Sequence, residues 1–271
     1  MDLYAVEAYL RPQNLEEIDN WQDSWAWLAG GTWMFNEPQP QVKTLVDITR
    51  LGWSELEPTP EGLTIGATCV VSQLLQFSHP QSWTAVKALQ SAVCELASFK
   101  VQNVATVGGN LCLAIPAGTF APAMVLLGAK YQILPLHGSP YWVSALEFQT
   151  GAKQTILKPK ELLRKIWIPQ TYLEWQVSYQ RICVASAGLA ISIVVAAYHP
   201  KTERVRFAIG AAIPAPRLLE FDRIPSPEEI SAALDTQIPL SHFLTDTQAS
   251  AVYRRHVTQV LMQRSLLDVE T

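Results

Sequence analysis

From Val104 to Ala129 the chain carries no charged residue. A stretch that apolar must be enclosed, by protein or by lipid. Gly108, Gly109, Pro116 and Pro122 interrupt it, and glycine and proline break a helix before it can cross a bilayer. The other long apolar run, Val184 to Tyr198, is too short to span as a helix. Both runs therefore read as protein interior. Composition agrees: 49% of the 271 residues are hydrophobic and 16% charged, against about 25% charged in an average globular chain.

Met1 to Leu15 is acidic and lacks the apolar centre of an export signal, so a soluble, cytoplasmic protein with no membrane span is expected. The net charge is −4 and no block of lysines and arginines occurs. That balance argues against a nucleic-acid partner. Cys69, Cys94, Cys112 and Cys183 are dispersed, and the five histidines show no H-E-x-x-H spacing. A local zinc or iron–sulfur site needs clustered ligands, so no metal is expected in the chain itself. Thiols in a reducing compartment remain.

The first part of the chain reads as mixed helix and strand. Leu45–Ile48, Leu63–Gly66 and Tyr131–Leu136 are predicted strands. Val71–Phe77 and Ala85–Ser98 are predicted helices, the latter from apolar residues at helical spacing. Lys160–Arg164 reads as a short helical turn before a strand at Lys165–Ile168. A compositional break falls at Pro169 to Gln176, and a polar stretch runs from Glu220 to Glu229. After the first break, Gly188–Tyr198 reads as a buried strand, His199–Glu203 as a turn, and Val205, Phe207 and Ile209 as the inner side of a half-buried strand. Thr247–Leu267 reads as a helix with Ala249, Val252, Tyr253, Val257, Val260 and Leu261 on its apolar stripe.

Glycine is scarce, with 13 residues, yet two Gly-Gly pairs occur in similar company. One is Leu28-Ala29-Gly30-Gly31-Thr32. The other is Ala105-Thr106-Val107-Gly108-Gly109-Asn110. Paired glycines reach unusual dihedrals and leave backbone N–H groups uncovered, and such a nest binds phosphate oxygens. Thr32, Thr106 and Asn110 add side-chain donors. Neither loop fits the Rossmann or P-loop spacing. A plain turn is the simpler reading of either loop alone.

Together the two loops resemble the flavin-binding (medium) subunit of the molybdenum hydroxylases, represented by the carbon monoxide dehydrogenase medium chain and the xanthine dehydrogenase flavin domain. That family shows A-G-G-T-D/S-L in a first FAD loop, matched by Ala29 to Thr32. It shows R-N-x-A-T-I/V-G-G-N-I/L in a second, matched from Gln102 to Leu111. Ala114 to Ala117, Pro122 and Leu127 to Ala129 continue the pattern, and Leu45 to Leu51 and Leu63 to Ala67 fall between the loops as in the family. Arg206 to Ala211, Pro214 to Arg217, and Tyr253, Arg254, Leu261 and Arg264 extend it nearly to the end.

The resemblance implies an α+β fold. Residues 1–172 would form a two-subdomain FAD-binding domain of the vanillyl-alcohol/p-cresol oxidase type. Residues 173–271 would form a small α+β domain, an antiparallel sheet with helices. The implied cofactor is FAD, on Leu28, Ala29, Gly30, Gly31, Thr32, Trp33, Ala105, Thr106, Gly108, Gly109, Asn110 and Thr119. The implied role is electron transfer, from substrate oxidised at a molybdenum-cofactor large subunit, through a small 2Fe-2S iron–sulfur subunit, to an external acceptor; no catalytic side chain is demanded. A scaffold with a decayed FAD site and a self-contained flavin oxidase are the competing readings.

Several positions depart from the family. Trp33 and Met34 stand where Asp or Ser, then Leu, are usual. Gln102 replaces a basic residue and Thr119 an Asp. Ala185 or Ser186 lies where an Asp precedes the strand of the last domain. Each change removes a polar anchor worth about 1–3 kcal/mol, so FAD is expected to bind more weakly here than in better-matched relatives. Trp21, Trp25, Trp27 and Trp33 read as packing around the first loop, with a flavin-stacking role open to Trp33. Tyr179 matches a family tyrosine near the flavin. His256 reads as a surface or half-buried side chain rather than a ligand.

Overall fold

The computed structural model describes residues 3–18, 20–186 and 188–269. The outer ends of the two predicted domains, including Met1 and Asp2 of the acidic N-terminal segment, and one residue of the run Val184–Tyr198 lie outside the described residues.

Strands β1 (Ala8–Leu10), β2 (Trp25–Leu28) and β3 (Thr44–Asp47) form a small parallel sheet in the order β1-β3-β2. Hairpin strands β4 (Leu56–Thr59) and β5 (Gly62–Gly66) follow, then helices α1 (Val86–Cys94), α2 (Phe99–Gln102), α3 (Val107–Leu113) and α4 (Phe120–Leu126). Next come β6 (Lys130–Pro135), β7 (Tyr141–Ser144), the short helix α5 (Ala145–Phe148), the hairpin β8 (Gln149–Gly151) and β9 (Gln154–Thr155), and β10 (Glu161–Pro169). Strand β10 closes an antiparallel sheet of order β4-β5-β10-β6-β7. Helix α6 (Gln170–Leu173) occupies the compositional break. Strands β11 (Gln176–Cys183), β12 (Ala190–Tyr198), β13 (Val205–Gly210) and β14 (Arg217–Phe221) make a second antiparallel sheet in chain order, flanked by α7 (Pro227–Gln237) and α8 (Ala251–Val269). Among the described residues no helix is long and apolar enough to cross a membrane.

The uncharged run Val104–Ala129 supplies α3 and α4, whose Val107, Leu111, Phe120, Ala123 and Met124 are buried in the largest core cluster. That core also takes Ile193, Val195 and Ala208 from the second sheet. The opposite face of the same sheet, with Val194, Phe207 and Ile209, packs against Ile230 and Leu234 of α7 and Leu261 and Met262 of α8.

That sandwiching corrects one expectation. Strand β13 is buried along its whole length rather than on one side. Arg206, predicted to face solvent, is enclosed: Nη1 donates to Leu126 O at 2.8 Å, Nε lies 3.0 Å from Glu220, and the guanidinium sits 4.3 Å from the Tyr172 ring centre. A buried cation needs compensating partners.

Four further expectations change. Lys160–Arg164 is not a helical turn, because Glu161 already pairs with Pro135 and the strand runs on to Pro169. The predicted helix at Ala85–Ser98 stops at Cys94, and Ala97 takes a left-handed φ of 43°; Val71–Leu75 is a 3-10 helix. On α8 the predicted stripe holds in part, with Val257 and Leu261 buried. Val252 and Tyr253 are exposed, while Arg254, Thr258 and Ser265 are buried. Arg254 donates to Ile191 O and Ala211 O and pairs with Asp246 at 2.6 Å, and the Thr258 and Ser192 hydroxyls bond at 2.7 Å. Partners on other elements make that polar face the inner one, which apolar spacing alone does not reveal.

Candidate functional site: a cavity between two glycine loops

The first Gly-Gly loop leaves the end of β2. Trp21 packs on Trp25 and Trp27, with ring centres 5.8 and 4.1 Å apart, and so anchors the strand that carries it. Gly31 has φ +69°, a left-handed conformation that favours glycine. Among the described residues, none accepts a hydrogen bond from the amides of Gly30, Gly31, Thr32 or Trp33.

The second loop differs from expectation. Thr106 is the N-cap of α3, and its Oγ1 accepts from Gly109 N–H at 3.0 Å. Val107 N–H donates to Cys69 O, Gly108 N–H to Ala67 O, and Asn110 N–H to Thr106 O. The stretch is the first turn of a helix with its amides engaged, not an open nest. Gly108 is demanded by packing, since a Cβ there would lie 2.6 Å from Ala67 O. At Gly109 it would meet Thr106 Oγ1 at 2.8 Å and, beyond that, Ala29 Cβ at 3.8 Å. The loops touch each other: a Cβ on Gly30 would lie 2.2 Å from Val104 O.

Between the loops opens a cavity of about 690 Å³. Leu28, Ala29, Gly30, Gly31, Thr32, Trp33, Ala105, Thr106, Gly108, Gly109, Asn110 and Thr119 all line it. Gln102 does not; its Nε2 donates to Leu96 O at 3.0 Å. Tyr179 does not line it either. Its hydroxyl donates to Thr119 O at 3.0 Å, so it holds the cavity wall from behind, and burial pushes its phenol pKa well up. His256 is exposed on α8.

Four side-chain atoms of the wall are buried without a hydrogen-bond partner: Trp33 Nε1, Asn110 Oδ1, Thr119 Oγ1 and Arg181 Nε. Each would cost about 1–3 kcal/mol if left unpaired, so the wall suits a ligand with several polar groups. Two ion pairs join the lining, Glu37 with Lys153 at 3.3 Å and Glu95 with Arg181 at 2.8 Å. Arg181 also donates to Ser186 O and Gly188 O, pinning the connection between β11 and β12. Cys112 keeps accessible surface although protein surrounds it, because it faces the cavity; burial pushes its thiol up to about 12, so it stays neutral.

Residues 4–171 match the family model described as the FAD binding domain in molybdopterin dehydrogenase. The chain belongs to this family of FAD-binding oxidoreductase subunits. It is 27% identical over 171 residues to xanthine dehydrogenase of Oryza sativa, an alignment covering 56% of this chain and 12% of that protein. The chain thus spans about an eighth of the length of the xanthine dehydrogenase it matches. It is 24% identical to the glyceraldehyde dehydrogenase medium chain of Sulfolobus acidocaldarius, covering 98% of this chain and all of that one. Its fold matches a chain of carbon monoxide dehydrogenase from Hydrogenophaga pseudoflava with a TM-score of 0.81 at 18% identity, over 97% of each chain.

The cofactor of this family member is FAD, and the wall fits it: open amides on one loop, orphaned polar atoms, and glycines that allow close approach. The sequence motifs pointed to twelve lining residues. They missed Glu37, Glu95, Lys153 and Arg181, which lie outside both motifs, Glu37 only five residues past Thr32. Only Arg181 had a local signal, its place two residues after Tyr179.

Proposed function

We propose that the chain is the flavin subunit of a molybdenum hydroxylase-type oxidoreductase, receiving electrons from iron–sulfur clusters of a partner and passing them to an external acceptor. Bound FAD supplies the redox chemistry, since flavin takes up and releases electrons singly or in pairs. The carrying observation is the cavity between the two glycine loops, lined on one side by amides with no acceptor and by residues that hold four unpartnered polar atoms. In this reading the open amides of Gly30 to Trp33 hold the pyrophosphate, and Gly109 lets it approach α3. Asn110, Thr119 and Trp33 fix the rest of the cofactor. The titratable side chains of the wall are two ion pairs and a neutral thiol, which suits electron transfer better than proton transfer. The partners are a molybdenum-cofactor large subunit and a 2Fe-2S small subunit, and the free thiols suit the cytoplasm. Residues 1–172 carry the cofactor and 173–271 close one side of it.

Flavin absorption bands in the purified chain, lost in Gly109→Val with the far-ultraviolet circular dichroism retained, test this reading. Full flavin occupancy in that variant would overturn the site. A decayed scaffold would bind no FAD even with its partners present. Because Trp33 and Thr119 replace usual polar anchors, FAD is held loosely in the isolated chain. Adding the partners tightens it if both favour one closed arrangement. Calorimetric titration with and without the partners measures that coupling, and equal affinities would remove it.

A further inference from the structure

We infer that Lys153 is the cation that binds the pyrophosphate, and that Glu37 is the counter-ion it leaves to do so; this rests on the flavin reading above. A dinucleotide brings two negative charges into a cavity whose described lining contains two cations, Lys153 and Arg181. Arg181 is committed at both terminal nitrogens, and its unpartnered Nε is buried. Its Nη1 is held by the carbonyl and carboxylate of Glu95, and its Nη2 by Ser186 O, Gly188 O and Cys183 Sγ. Lys153 has one carboxylate partner, Glu37, and both side chains are about half exposed, 55% and 43%. An ion pair that exposed is weak and easily exchanged.

Position makes the exchange feasible. Lys153 sits at the tip of the β8–β9 hairpin in a left-handed conformation, φ +57°, and its N–H donates to Ala114 O just past α3. Gln149 fixes the hairpin base by donating to Ala114 O and Pro214 O. From this anchored tip Nζ lies 5.7 Å from the centre of the Trp33 ring. Trp33 belongs to the run whose amides have no acceptor, so the ammonium lies beside the side chain of a residue in that run. Ammonium and amide donors together suit phosphate oxygens. In the same place the Glu37 carboxylate repels them.

The two residues should therefore act with opposite signs. Lys153→Met weakens FAD and ADP by about tenfold, the factor for one charge-assisted contact, and leaves riboflavin, which has no phosphate, unchanged. Glu37→Gln tightens FAD and ADP by about threefold, since it releases Lys153 and removes a repelling charge. The salt dependence of FAD affinity also flattens in Lys153→Met. Flavin fluorescence titration and calorimetry of ADP against the full chain read these outcomes. Unchanged FAD affinity in Lys153→Met would overturn the inference. So would equal weakening of riboflavin, or a Glu37→Gln variant that binds FAD as poorly as Lys153→Met, because the pair would then be a structural clamp. Failure of the unaltered chain to bind FAD or ADP, with its partners present as well as without them, would sink the flavin reading itself.

Discussion

The two Gly-Gly pairs look alike in sequence and do different work in the fold. In the first, Gly31 bends the chain through a left-handed residue and four consecutive amides stay open. In the second, Thr106 caps a helix, and the amides around the glycines are taken by Thr106, Ala67 and Cys69. The first loop offers donors; the second offers shape, with Gly108 against Ala67 and Gly109 facing the cavity. Paired glycine therefore does not by itself mean an anion nest. What decides is whether the neighbouring backbone has already engaged the amides.

The largest test of this contrast is Gly30→Val. Its Cβ would lie 2.2 Å from Val104 O, and backbone cannot step aside as a side chain can. Overpacking of this kind costs about 3 kcal/mol, and both loops should shift together. Urea unfolding should show the loss; near-native stability would mean the loops are not in contact. Gly108→Val is for the same reason a stability variant and not a clean binding one.

Gly31→Ala is the next step down. It forces a side chain into φ +69° and towards the Phe35 ring, with a left-handed penalty of roughly 1–2 kcal/mol. FAD affinity should fall with it, because the open amides are aimed by this bend. Unaltered FAD binding would move the donor role to the second loop.

Thr106→Ala sharpens the comparison from the other side. Loss of the cap costs about 1 kcal/mol of stability and frees Gly109 N–H. A loop that acts by shape should lose less than about threefold in FAD affinity, a difference under 1 kcal/mol. A tenfold change in either direction would make the second loop a donor after all.

The smallest effect is on acid stability. Asp47, at the end of β3 beside Leu28, has a carboxyl below the usual range. Burial pushes it up, but bonds from the Thr49 hydroxyl, from Tyr9 and from Thr49 N–H, with Arg11 at 3.0 Å, outweigh that. A depressed folded value contributes stability above the ordinary carboxylate range, near pH 4, and loses it as pH falls through the folded value. Urea midpoints between pH 5 and pH 2 should fall more steeply in the native chain than in Asp47→Asn. Thr106, which supports the second loop, does not titrate. Parallel pH profiles would mean that Asp47 gives the first loop no such support.

Particular residues show how far the sequence could be read. Leu63–Gly66 and Tyr131–Leu136 alternate as strands do, and the structure has strands there. Lys160–Arg164 is polar enough to read as a turn, yet its strand character comes from β6 alongside it. The stripe on α8 followed hydropathy and found Val257 and Leu261, but it missed Arg254 and Thr258, which are buried because Asp246, Ile191, Ala211 and Ser192 satisfy them from outside the helix.

The sequence by itself carried the two loop motifs whose resemblance implies the family and the cofactor, because a glycine-hydroxyl motif is a local property of the chain. Only the tertiary structure decided which loop keeps its amides open, that β13 is buried on both faces, and that Glu37 meets Lys153 across 116 positions of chain. Hydrogen-bond partners and charges act through space, and residues far apart in the chain become neighbours only once the sheets and helices have packed.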